Sequence, residues 1–387
     1  MSKMKKNRNM AKVDVCYITS WVGDYHAPRL LSLNYHLNKL DKNLLVVQLD
    51  NRSKLYSHDQ IRRNKLIKQL KFILLHSQKP TSFFLNTFLT LFKTRPNNIL
   101  VLGYNDPISL AALLYSKIFF KKIFFMSDSK KDDQPRSIFT ELVKSFIIKF
   151  FDGALVAGEK HKKYFKSLGF RKEITIPYDV IDNRFFSETS VKYYARASKI
   201  IHRELGEKYI LCVSRLVQRK QVDLALKIYH ESKIAEKGWN FVLVGDGPER
   251  QSIELLINEL NLNDKIIHLK NIPNHRMPAL YSNATALILA SEYDQWGLCV
   301  NEAMSCGVPS CVTSRCGVAN EIVNENNGLV FEDNNIIKAV NWLRKVCSDK
   351  EFHEKLSHNA KSTMTTWGVD DYAISTLKLL KYIVKEN

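Results

Sequence analysis

Short runs that are apolar almost from end to end constrain this chain more than any other feature. Val13 to Trp21, Leu44 to Leu49, Asn98 to Leu102, Lys122 to Met126 and Gly153 to Val156 are of this kind. A strand with one wet face alternates polar and apolar residues, whereas a run without alternation is covered on both faces. The segments between them carry helical spacing, as in Pro28 to Leu40 and Phe139 to Phe150. Strand–helix alternation predicts a parallel, doubly wound α/β sheet. The pattern then restarts. Strands are expected at Ile210 to Val213, Asn240 to Val244, Ile266 to Leu269, Ala286 to Ala290 and Ser310 to Thr313. Helices at Val222 to Glu231, Gln251 to Leu260, Ala279 to Ser282 and Cys299 to Cys306 alternate with them. At 387 residues the chain exceeds one ordinary core, so two Rossmann-like domains are expected. The polar stretch 183–207 serves as the linker. The expected division is 1–185, 200–366 and a terminal helix over 367–387. Paired sheets of this kind place a ligand cleft at the carboxyl ends of their strands.

Composition removes several classes. With 45% hydrophobic and 25% charged residues, the chain is a folding globular protein. Met1 to Ala11 is basic and lacks a signal peptide's apolar stretch, and Ile118 to Met126 is broken by Lys121 and Lys122. No run approaches the roughly 20 apolar residues of a bilayer span, so a secreted or spanning protein is not expected. The seven cysteines lack zinc-type spacing and read as reduced, buried thiols. Net charge is +19, and its distribution matters. Residues 1–190 hold 33 Lys and Arg against 16 Asp and Glu, while residues 191–387 hold 25 against 23. An anionic partner for the first half alone follows: membrane surface, nucleic acid or acidic substrate.

Three segments could carry chemistry. In SEYDQWGLCVNEAMSCGVP, Asp294 stands eight positions before Glu302, and Gly297 opens a helical pattern that Gly307 and Pro309 close. The backbone N–H groups of Trp296, Gly297 and Leu298 would then favour phosphate or sugar oxygens, with Glu302 accepting the hydroxyls of a ribose. The plainer alternative makes Asp294 a helix cap and Glu302 a solvated residue. In CVSRLVQRK, Arg215 and Lys220 follow a strand and are placed either to clamp a diphosphate or to lie as surface charge. In FVLVGDGP, Gly245 and Gly247 allow a tight turn and are mostly architectural.

In this order and spacing the segments resemble family 4 of the retaining glycosyltransferases, with their two-domain GT-B fold. The resemblance covers most of residues 210–335, on to GVANEIVNENNGLVF. It reaches more loosely into the first half through SDSKKDDQPR, ALVAGEKHKKYFKSLGF and PYDVIDNRFF. It implies that Arg215 and Lys220 bind the donor's diphosphate, that Glu302 binds its ribose, and that Asp294 touches the transferred sugar. It also implies that Gly23, in SWVGDYHAPRL, approaches the donor phosphates. His26 on that loop is a candidate acid/base or acceptor-orienting group, against a surface or capping histidine, and Arg29 a further anion contact. Asp128, Asp132 and Arg136 would line the acceptor side. The terminal helix would cross back onto the first domain. Two departures stand out: the family usually has Glu where Asp294 stands, with Glu292 two residues out of register, and Gly where Gln221 stands.

The resemblance implies sugar transfer with retention from a nucleotide-diphosphate sugar, a UDP-sugar first among donors, to a saccharide or lipid-linked acceptor of bacterial surface polysaccharide or glycolipid synthesis. No Asp-x-Asp occurs, so neither a metal nor any cofactor is expected. A cytoplasmic protein is expected, peripheral on the inner face of the membrane. The stretch 61–92 couples Arg62, Arg63, Lys65, Lys68 and Lys71 with apolar and aromatic residues, and suits either an anionic leaflet or packing on the first sheet. Rival functions are a GT-B nucleotide-sugar epimerase, a non-catalytic scaffold and a basic nucleic-acid-binding protein. The last lacks any recognisable nucleic-acid motif, so no nucleic acid is expected as partner.

Overall fold

The computed structural model describes residues 13–49, 60–75, 80–133, 136–189, 201 and 203–382. Met1 to Ala11 and the side chains of Ile61 and Arg62 lie outside the described residues. The first half builds one parallel sheet from β1 (Val15–Thr19), β2 (Leu44–Leu49), β3 (Lys71–Leu75), β4 (Asn98–Leu102), β5 (Lys122–Ser127), β6 (Gly153–Val156) and β7 (Glu173–Thr175). Its order is β3-β2-β1-β4-β5-β6-β7. The second half builds a parallel sheet from β8 (Tyr209–Val213), β9 (Asn240–Val244), β10 (Ile266–Leu269), β11 (Ala286–Leu289), β12 (Ser310–Thr313) and β13 (Gly328–Phe331). Its order is β10-β9-β8-β11-β12-β13. Both sheets reverse direction beside their first strand, between β1 and β4 and between β8 and β11. The loops leaving β1, β8 and β11 therefore border the crevices where ligands bind in such folds.

Burial explains the apolar runs. β1, β6, β11 and β12 are buried along their whole length, with helices on both faces. Three strands escaped the sequence reading. β3 lies inside the basic stretch 61–92 and is an edge strand, half-buried and paired in register with β2 alone. The stretch is thus a helix at Gln60–Ile67, an edge strand, and a helix at Pro80–Thr94. β7 has only three residues and β13 follows a loop of Asn and Glu, so neither gives a periodic signal.

The linker stretch is partly folded. Residues 183–189 are helical, Phe186 is buried, and Asn183 donates its side-chain N–H to the carbonyl of Trp367 at 3.1 Å. From there the helix Val369–Leu379 packs on the helix His26–Asn38 of the first half, burying Tyr372, Ala373 and Leu377 against Leu30, Leu33 and Leu37. Trp367 stacks flat on Trp296, with ring centres 5.4 Å apart and planes 8° apart. Its indole N–H donates to the carbonyl of Asp179 at 3.1 Å.

Candidate active site between the two sheets

The loop after β8 turns sharply because the loop after β9 presses on it. Gly245 has φ +138°, and a Cβ there would sit 1.8 Å from the Ser214 carbonyl oxygen. Only glycine fits, so the GDG segment shapes the 214–221 loop. That loop carries Arg215 just past the strand end and Lys220 in a short 3-10 turn, Gln218–Lys220. Gln221 follows at φ +42°, in the left-handed region. Glycine would meet that backbone requirement freely, and this chain meets it with strain.

The loop after β11 docks on the same turn. Glu292 N–H donates to the Arg219 carbonyl at 2.9 Å, and the Lys220 ammonium pairs with the Asp294 carboxylate, both groups being nearly buried. The register question is therefore decided by geometry. Asp294 faces the cation, while Glu292 lies outside and meets Arg315 at 3.8 Å. Asp294 does not cap the helix Leu298–Ser305; Gly297 does, at φ +112°. Trp296, whose backbone N–H is the one expected at the site, buries its ring and donates its separate indole N–H to Asn301 at 2.8 Å. Leu298 begins the helix and packs on the second-half core.

Glu302 departs most from expectation. It is only 3% exposed, and both its oxygens accept hydrogen bonds from tyrosines. Tyr281 O–H donates to Oε2 at 2.6 Å and Tyr25 O–H, from the first half, to Oε1 at 2.8 Å. Burial pushes its carboxyl up to about 7, against the pull of the two hydroxyls. A solvated glutamate is excluded, since the protein's own phenols bond both carboxylate oxygens.

On the facing loop, Gly23 N–H donates to His26 Nδ1 at 3.2 Å. That bond leaves His26 Nε2 as its donor nitrogen, 3.5 Å from the Tyr178 hydroxyl. His26 opens its helix and is half-buried there. Arg29 is no anion contact. It is buried, paired with Asp179 at 3.3 Å, bonded to the Val180 carbonyl at 2.9 Å, and lies over the Tyr178 ring. Asp128 is exposed just past β5. Asp132 and Arg136 belong to a network around the buried Lys130 ammonium, with Lys130–Asp132 at 2.9 Å and Arg136–Asp133 at 3.0 Å.

Three residues that sequence reasoning passed over pin the halves together. His161 Nε2 donates to the Gln295 carbonyl at 2.9 Å, and burial pushes its pKa down to about 4, so the ring stays neutral. Lys160 donates to the Ser314 carbonyl at 2.8 Å. Glu321 takes the Glu159 N–H at 2.9 Å, capping the helix Glu159–Ser167 from the other domain. All three lie within segments already singled out, ALVAGEKHKKYFKSLGF and GVANEIVNENNGLVF, but nothing local marks an interdomain partner.

Two parallel sheets that share one order over six strands, with a cation, carboxylates and a helix start gathered between them, have the GT-B architecture. Residues 195–363 match the family model described as glycosyl transferases group 1. The chain is 25% identical over 218 residues to N-acetyl-alpha-D-glucosaminyl L-malate synthase of Bacillus anthracis, covering 55% of this chain and 54% of that protein. It is 23% identical over 282 residues to a Campylobacter jejuni alpha-1,4-N-acetyl-D-galactosaminyltransferase acting on an undecaprenol-diphosphate-linked acceptor, covering 72% and 73%. The match spans about half the length of the first curated relatives, 54%, 45% and 47% of each. Among solved structures, Anabaena HepE in complex with UDP and glucose is similar at TM-score 0.71 and 15% identity, covering 95% of this chain and 99% of that one. A Rickettsia africae glycosyltransferase is similar at TM-score 0.75 and 16% identity, covering 96% and 99%. These likenesses support the group 1 glycosyltransferase family.

Proposed function

We propose that this protein is a retaining glycosyltransferase of family 4 that moves a sugar from a nucleoside-diphosphate donor, a UDP-sugar first among them, to a saccharide or lipid-linked acceptor. The observation that carries the reading is the meeting of Lys220 and Asp294 beside the start of the helix Leu298–Ser305, with Glu302 one turn further on. A diphosphate entering there competes with Asp294 for the ammonium. Arg215, Lys220 and the helix start then hold charge that grows as the sugar–phosphate bond breaks. No metal is needed to neutralise that leaving group. Freed from Lys220, Asp294 reaches the transferred sugar. Glu302 exchanges the Tyr25 hydroxyl for the ribose hydroxyls, so donor entry loosens one interdomain bond. His26 presents an N–H, which suits orienting a hydroxyl and not abstracting its proton. The acceptor proton therefore passes to the departing phosphate oxygen on the same face of the sugar. The name of the Campylobacter relative gives an undecaprenol-diphosphate-linked acceptor, which supports a lipid-linked acceptor here; a place in surface glycan or glycolipid synthesis at the cytoplasmic side of the membrane is part of the proposal.

The test is incubation with UDP-, GDP- and ADP-sugars, first alone for thermal shift, then with acceptor and chelator. A shift with one nucleotide series, transfer that survives EDTA and an axial anomeric product seen by NMR are expected. Inverted product, or free epimerised nucleotide sugar without acceptor, would overturn the reading.

A further inference from the structure

The helix Ile138–Ile148 is turned inside out. Of its eleven residues only Ile148 is buried, while Ile138, Phe139, Leu142 and Phe146 are 82%, 75%, 63% and 64% exposed. Their spacing of three or four residues lines them along one face, and Phe150 extends it past the helix end. A soluble helix ordinarily shows its polar side outward, and an apolar stripe of this size on a surface marks a contact.

A second element extends the stripe. β4, β5 and β6 lie in consecutive order, so two right-handed crossovers in the same direction put Pro107–Ile118 and Ile138–Ile148 on one face of the sheet. At their lower ends Asp152 pairs with Lys122 at 3.0 Å and Lys117 at 3.7 Å, bringing the turn after the first helix beside Phe150. That turn is Phe119-Phe120-Lys121-Lys122, and Phe120 stands 94% exposed at φ +53°. A phenylalanine in the left-handed region, with nothing covering its ring, is a costly arrangement for a free surface. The surround is cationic. Residues 80–172 carry 16 Lys and Arg against 7 Asp and Glu.

We infer that this face, the helix Ile138–Ile148 with the Phe119–Phe120 turn, docks on an anionic lipid bilayer. Scattered aromatic and aliphatic side chains along about 16 Å of helix insert among acyl chains without needing a shaped partner. Lys121 and Lys149, next to them in sequence, meet anionic headgroups. No described helix is long and apolar enough to cross a membrane, so the contact is made in the interface plane. The face is continuous with the helix Pro80–Thr94 of the stretch 61–92, whose Phe88 and Phe92 rings lie 6.4 Å and 5.6 Å from that of Phe119, while Arg63 earlier in that stretch is folded inward over Trp21 and bonds Gln48 at 3.1 Å. The helix begins at Ser137, beside the Arg136–Asp133 pair near the carboxyl end of β5. Docking therefore lays this wall of the first sheet along the headgroups, from the carboxyl end of β5 at Ser137 to its amino end at Phe120.

The experiment is flotation of the full chain with phosphatidylcholine vesicles, with and without roughly one-third phosphatidylglycerol. Binding to the anionic vesicles alone is expected. Both the triple change Phe120→Ser, Leu142→Ser, Phe146→Ser and the pair Lys121→Glu, Lys149→Glu should lower the bound fraction about fivefold or more, with unchanged thermal unfolding. No binding to anionic vesicles at low salt, or binding that neither variant reduces, would overturn the inference. So would concentration-dependent self-association in sedimentation that the apolar triple abolishes, since the face would then be a protein interface. No sugar nucleotide enters the assay, so its failure leaves the transferase reading untouched.

Discussion

The two halves share a strand order and differ in what they do with it. In each, the fourth strand joins beside the first and the direction of winding reverses there. The second half buries its helices well and is almost neutral, and Lys220, Asp294 and Glu302 gather near the ends of its strands. The first half carries nearly all the net charge and leaves a helix face uncovered. A doubly wound sheet supplies a crevice at its strand ends and helical outer walls, and the two can be specialised separately. Here the second half brings charged groups together at the crevice, and the first leaves an outer wall bare.

That division can be broken by experiment. The largest effect is expected from Arg215→Ala or Lys220→Ala, each lowering kcat/KM for transfer by on the order of 10²–10³ while the Phe120→Ser change leaves transfer to a soluble acceptor intact. Steady-state assays with the responding donor check this; equal losses from both halves would erase the distinction.

A smaller effect concerns the buried carboxyl. Glu302 is raised from 4.5 to about 7, so its neutral form stabilises the fold fully below its unfolded value. That contribution is lost as pH rises through about 7. Glu302→Gln should therefore unfold at higher denaturant than the parent by up to roughly 3 kcal/mol at about pH 9, and show little of this difference at about pH 4. Urea melts at both pH values decide it. A pH-independent difference would mean that the tyrosine bonds, not desolvation, govern the site.

The smallest is local. Gln221 holds a left-handed conformation that glycine adopts freely, so Gln221→Gly should stabilise the second half by about 1 kcal/mol, read in the same melts. Destabilisation would point to a role for the glutamine side chain.

Much of this was written in the chain. The unbroken apolar runs located ten strands because strands buried on both faces admit little else, and the order of CVSRLVQRK, FVLVGDGP and SEYDQWGLCVNEAMSCGVP placed the charged groups at strand ends. β3 hid among cations because an edge strand needs less apolar surface, and β7 and β13 were too short or too poorly framed to show a period.

What tertiary structure alone decided is who partners whom. That Asp294 and not Glu292 meets Lys220, that Tyr25 closes over Glu302, that Arg29 is spent on Asp179, and that Glu321 caps a helix of the other domain are contacts between residues far apart in sequence. Local sequence fixes backbone periodicity and residue chemistry. The direction in which a side chain finds its counter-charge depends on how two domains close on each other, and so does whether a helix face is covered or left bare.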